Sequence, residues 1–216
     1  MSGNPAFPTR LVRLFSGLVL FGMSLALMVR ANLGLGPWDV LHQGISRHLG
    51  WPIGTVTIAV SALVLLAWIP LRQRPGVGTI ANVVVVGLAV DATLAILPQP
   101  DLLAARAGLL VSGIVLNAVA TGLYIGANLG PSPRDGLMTG LAARGVSLRL
   151  ARTVIEVGVL VLGFALGGTV GLGTIAYALA IGPLVQLALR GTAASHDTAP
   201  PNIRTTTTTT TTKATS

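Results

Sequence analysis

Residues 31–39 read ANLGLGPWD and residues 127–135 read ANLGPSPRD, 96 positions further along the same chain. Each follows a long apolar run, sets Asn, Gly and Pro where a helix does not favour them, and ends on an aspartate. A stretch of this kind written twice is either a pair of loops or the working part of the protein. What surrounds it decides the fold.

The surroundings are apolar. Hydrophobic residues make up 52% of the 216, charged residues only 9%, and mean hydropathy is +0.78, whereas soluble domains carry about 25% charged residues. Six segments are long enough to cross a bilayer, at about 11–29, 53–71, 77–97, 107–126, 148–166 and 170–190. Gly and Pro inside them are compatible with spanning, because neighbouring helices re-satisfy the backbone. The first segment, with Arg10 and Arg13 ahead of it, has the look of a signal peptide. The 96-residue offset argues otherwise, since it lays Ser16-Gly17 on Ser112-Gly113.

The correspondence continues. Asp39, Leu41 and Gly44 fall on Asp135, Leu137 and Gly140, and after a one-residue slip GVGTIA at 76–81 falls on GLGTIA at 171–176. The chain therefore reads as an all-α polytopic membrane protein built from two repeats. A short N-terminus, 1–10, precedes repeat 1 at 11–97, which holds three spans and a short helix at 37–49. Repeat 2 at 107–191 has three spans and a short helix at 133–144. Residues 192–216, with eight consecutive threonines, read as a disordered tail.

Three spans per repeat place the second repeat upside down relative to the first. With the N-terminus in the cytoplasm, Arg10, Arg13, Arg72, Arg74, Arg134, Arg144, Arg149, Arg152, Arg190, Arg204 and Lys213 lie inside. Arg30, Arg47 and Arg106 lie outside. This is the asymmetry of the positive-inside rule, and it accounts for the net charge of +8 without a nucleic-acid partner. Inverted repeats are an architecture of transporters.

The short segment PWDVLHQGISRHL at 37–49 makes a helix of about 20 Å, too short for a core of roughly 30 Å. Two readings follow. Trp38, Leu41, Ile45 and Leu49 form an apolar stripe, with Asp39, Gln43 and Arg47 turned elsewhere, which suits a helix lying flat at the interface. Alternatively residues 31–36 descend in extended form and the helix returns, a re-entrant hairpin. Pro37 and Pro133 suit the first helical position, Ser132 reads as a cap with Asp135 three residues on, and Asp39 occupies the matching place after Gly36. In the re-entrant reading two helix N-termini, each favouring negative charge, meet in mid-membrane with Asn32, Asp39, Asn128, Arg134 and Asp135 around them.

Two further acids lie inside spans, Asp91 and Glu156, and intramembrane acids are functional candidates. Glu156 follows Arg152 by four residues, the spacing of an ion pair. Asp91 has no partner near it in sequence, which favours it for coupling or binding, with Asn82, Asn117 and Tyr177 able to hydrogen-bond from other helices. Catalytic motifs are absent: there is no GxSxG, phosphate loop or HExxH. The chain has no cysteine, and His42, His48 and His196 make no metal set. The expectation is no enzyme, no cofactor and no metal.

Segment one followed by ANLGLGPWDVLHQGIS, and later GTIANVVVVGLAVD, resembles the YczE/YyaS/YitT family of bacterial integral membrane proteins over about 10–190. The resemblance implies a bacterial cytoplasmic-membrane protein of about this length, and the charge bias adds the expectation of a multi-pass chain with both termini inside. It brings no catalytic residue, and a link to secondary metabolism has been suggested for some members. SPRD departs from GPWD at two positions. The expected function is transport or conduction of a small solute; the alternative is a non-transporting accessory protein of a biosynthetic or export assembly. The expected partners are the lipid bilayer and a small solute, with homo-oligomerisation left open.

Overall fold

A computed structural model describes residues 7–194, and within them the chain is helical, with no strand. The helices are α1 (Phe7–Ala31), α2 (Pro37–Leu49), α3 (Ile53–Leu71), α4 (Val77–Ile96), α5 (Leu103–Gly126), α6 (Pro133–Ala142), α7 (Leu148–Ala165) and α8 (Leu172–Ala194). All six apolar segments and both short helices appear where the hydropathy and the Gly-Pro punctuation put them. The tail beyond 194 and the first six residues lie outside the described residues.

Five helices, α1, α3, α4, α5 and α8, are long and apolar enough to cross a membrane; at ~1.5 Å per residue they match a hydrocarbon core of ~30 Å. The sixth segment, α7, is 18 residues long and carries Arg149, Arg152 and Glu156 in its first half, which sets it apart from the others. Outward faces are apolar: Leu63, Ile69, Leu88, Val111, Phe164 and Leu179 are all exposed. So much exposed hydrocarbon is unfavourable in water and favourable in lipid.

The centre of the molecule is the pair α1 and α5, against which α4 and α8 respectively pack. Small residues let the backbones approach, since a β-carbon on Gly17 would lie 2.9 Å from the Tyr124 amide nitrogen and one on Gly113 would lie 3.1 Å from the Ser24 carbonyl oxygen. Leu14, Leu18, Phe21, Leu25 and Met28 of α1 form the core with Leu110, Ile114 and Tyr124 of α5. One polar chain crosses it: Asn117 Nδ2 donates to Ser24 Oγ at 2.9 Å, and Tyr177 OH donates to Asn117 Oδ1 at 3.4 Å. Each member satisfies another, which is what buried polar groups require.

The duplicated stretch forms the two loops leading into α2 and α6, and the two loops make equivalent contacts. Asn32 and Asn128 end α1 and α5 in the left-handed region, at φ 49° and 50°, and Gly34 and Gly130 follow at 121° and 126°. The second pair of angles admits only glycine at low cost. Arg106 donates to the carbonyls of Ala31 and Asn32, at 2.8 and 2.7 Å. Arg10 donates to those of Ala127, at 2.9 Å, and Asn128. Gly173 N donates to Leu33 O and Gly78 N to Leu129 O, both at 2.8 Å. The orphan carbonyls at each helix end are thus satisfied from the other half of the chain, which explains why ANLG and GTI recur together.

Candidate functional site

The two short helices start deep in the protein. In α2 burial falls along the helix axis: Trp38 through Gly44 are buried, whereas Arg47, His48 and Leu49 are exposed. Leu49, a member of the apolar stripe, is 52% exposed, and Asp39, off the stripe, is 6% exposed. The helix therefore enters the protein end-on, and the stripe does not define its buried side. It is held by α7, where Gly163 lies against the backbone of Val40 and Leu41, and by Gln43, whose Oε1 accepts from Thr169 N at 2.7 Å. The start of α6 is fixed by Trp68 of α3, which donates from Nε1 to Pro133 O at 2.9 Å while its ring covers Gly136.

Both N-termini open into one cavity of about 600 Å³, to which all eight helices contribute. From α2 come Trp38, Asp39 and His42, and from α6 Arg134, Asp135 and Met138. Ser132 caps α6 as its spacing suggests: its Oγ accepts from Asp135 N at 3.2 Å and donates to Asp135 Oδ2 at 2.6 Å. Tyr124 OH donates to the same carboxylate oxygen at 3.4 Å. At the matching place in α2, Gly36 offers no side-chain cap, and Asp39 Oδ1 instead lies 3.7 Å from His42 Nδ1. That ring nitrogen is 3.3 Å from Thr57 Oγ1. Arg134 places its guanidinium over the Phe21 ring, 5.3 Å from the centroid, a cation–π distance. Trp38 Nε1 is buried without a hydrogen-bond partner.

Of the residues singled out in the sequence, Asp39, Arg134, Asp135 and Glu156 line the cavity. Glu156 accepts from Arg152 Nε at 3.0 Å, the ion pair their spacing allows, and Arg152 lines the cavity beside it. Asn32, Asn128 and Asp91 are not among the lining residues. The two asparagines serve the loops, Asn32 Oδ1 accepting from Thr169 Oγ1 at 3.2 Å. Asp91 does have a partner, remote in sequence: the free N-terminus of α3. Its Oδ1 accepts from Gly54 N at 2.7 Å, and its Oδ2 from Thr55 N and Oγ1 at 3.1 and 3.3 Å.

Sequence reasoning missed Trp38, His42 and Tyr124 as lining residues. Tyr124 and Tyr177 are the chain's two tyrosines, and both line the cavity. That scarcity was a usable signal. Positions near helix ends mask it, because they suit an interfacial aromatic belt equally well.

The two ends of the cavity differ. Gly54 and Gly87 bring α3 and α4 into backbone contact, a β-carbon on Gly87 falling 2.5 Å from Gly54 O, and Asp91 ties the same two helices. The positions that correspond by sequence in the second half are Arg149, Gly182 and Gln186. There α7 and α8 scarcely touch, a β-carbon on Gly182 would meet nothing within 4 Å, and Arg152, Glu156, Gly182 and Gln186 face the cavity.

The profile of a family of unknown function, DUF6198, matches residues 8–190. A Haemophilus influenzae protein described as uncharacterized is 41% identical over 177 residues, covering 82% of this chain and 81% of its own length. The Bacillus subtilis protein described as the uncharacterized membrane protein YczE is 31% identical over 179 residues, covering 81% and 83%. A second B. subtilis protein, YyaS, is 25% identical over 166 residues, covering 74% and 82%. No solved structure matches. The motif pattern, the apolar helices and these relatives agree: the chain belongs to the DUF6198 family and is a YczE-like integral membrane protein.

Proposed function

We propose that the protein is a transporter that moves a small polar solute across the bacterial cytoplasmic membrane by alternating access to this cavity. The observation that carries the reading is one polar cavity at the meeting point of two half-helices, shut at the α3–α4 end and open between α7 and α8. The duplicated sequence and the equivalent loop contacts support an inverted repeat of six spans, with α2 and α6 as re-entrant half-helices whose N-termini lie near the bilayer midplane. In such an architecture each half can adopt the conformation of the other. Closure of α7 onto α8 then copies the Gly54–Gly87 contact, and parting of α3 from α4 copies the present α7–α8 gap. The charge bias supports a cytoplasmic position for the open end.

The end-on entry of α2 favours transport over an accessory role, because a surface scaffold has no use for a central polar cavity lined by every helix. The test is release of a mixed pool of amino acids, amines, small acids and polyols from proteoliposomes. At least one solute leaves faster than from protein-free vesicles, and Ser61→Trp, which fills the cavity from α3, abolishes that release in a protein that still folds. Release of no solute by correctly inserted protein, or release unaffected by Ser61→Trp, refutes transport through this cavity.

A further inference from the structure

The chemistry of the cavity narrows the solute. Arg134 forms no ion pair within 4.0 Å with Asp39, Asp135 or Glu156, yet it lies in the field of both Asp39 and Asp135. Its five N–H donors face the ring of Phe21 and the cavity. Asp135 is already engaged by Ser132 and Tyr124. Asp39 is less committed: its Oδ1 lies 3.7 Å from His42 Nδ1, and no side chain caps α2. Trp38, 7% exposed, adds an indole N–H without an acceptor. The cavity thus presents an uncommitted guanidinium on one hand, and a carboxylate whose side-chain neighbour is His42 on the other.

A singly charged ligand fits this set poorly. An anion that satisfies Arg134 sits in the repulsive field of Asp39 and Asp135, and a cation that satisfies Asp39 sits in that of Arg134; beside a carboxylate as buried as Asp39, 6% exposed, such mismatches are costly. The overall balance says the same. Arg152 offsets Glu156, Arg134 offsets one aspartate, and the two helix N-termini, worth roughly +0.5 charge each, offset the other. The site is close to neutral and strongly dipolar.

We propose that the cavity binds a small zwitterion, with its carboxylate on Arg134 and its ammonium group on Asp39. The class is a compact amino acid. The cavity, at about 600 Å³, lies within the ~300–1,000 Å³ of small-molecule sites and leaves room for bridging water. This rests on the cavity reading above but does not need transport to be correct.

The test is binding to the full-length protein in detergent, by calorimetry and thermal stabilisation, with glycine, alanine and β-alanine against ethylamine and propionate, which keep one charge each. At least one of the three zwitterions binds, with ethylamine and propionate at least ~10-fold weaker. Arg134→Gln and Asp39→Asn each weaken zwitterion binding about 10- to 100-fold, and Arg134→Lys restores part of the loss, which shows that the charge and not the fold is at issue. Equal binding of ethylamine or propionate, insensitivity to both charge-removing variants, or no binding by any of the three zwitterions overturns the proposal. Binding without vesicle release sinks the transport reading alone, and release of another solute class without zwitterion binding sinks this inference alone.

Discussion

Replacing Asp91 by alanine should loosen the shut end of the cavity without emptying it of any lining group. Asp91 gives α3 its only side-chain cap, through three hydrogen bonds from Gly54 and Thr55. Losing a side-chain cap of this kind costs about 0.5–2 kcal/mol, and losing a negative charge at a helix N-terminus adds about 0.3–1 kcal/mol. If the whole effect falls on the contact between α3 and α4, the equilibrium between closed and parted ends moves by about 4- to 150-fold. The chain lacks cysteine, so a single cysteine at Ser61, on the cavity face of α3, reports on access. A membrane-impermeant maleimide added on the α3–α4 side should label Asp91→Ala protein faster by that factor. Gly87→Leu, which wedges the same contact, should act in the same direction. An unchanged rate in both variants, with folding intact by gel filtration, would refute the assignment of Asp91 and the glycine pair to a gate.

Other consequences are structural. Arg10→Ala and Arg106→Ala each remove two hydrogen bonds to loop carbonyls and should lower stability by comparable amounts, about 1–3 kcal/mol each, read as thermal midpoints in detergent; a large inequality would mean that the two loops are not equivalent. Gly136→Ala places a methyl group against the Trp68 ring and should destabilise by about 1–3 kcal/mol, whereas Gly182→Ala, with open space around it, should leave the midpoint unchanged. Reporter fusions after residue 190 and at the N-terminus should both fall in the cytoplasm, and an external C-terminus would contradict the six-span arrangement.

The fold was largely legible because apolar length and Gly-Pro punctuation report directly on spans in lipid, and the two short helices stood out by being too short. Half of the candidate site was legible for the same reason: Asp39, Arg134 and Asp135 belong to the repeated motif, and Arg152 and Glu156 share one helix face. Asp91 illustrates the limit. An acid inside an apolar span without a local partner looks functional, but its partner was the start of α3, 37 residues away, and no periodicity encodes that contact. The amphipathic stripe of α2 misdirected for a related reason, since side-to-side periodicity cannot distinguish a helix lying flat from one buried end-on. His42, Trp38 and Tyr124 reach the cavity only through the tertiary arrangement.

Alternating access requires the α7–α8 gap to close during transport, and a reversible lock across the gap probes that step. Cysteines replacing Arg149 and Gln186, the counterparts of Gly54 and Asp91, should form a disulfide on oxidation in proteoliposomes, stop solute release, and restore it on reduction. Failure of the pair to cross-link, or release that continues unchanged with the lock in place, would contradict alternating access through this cavity.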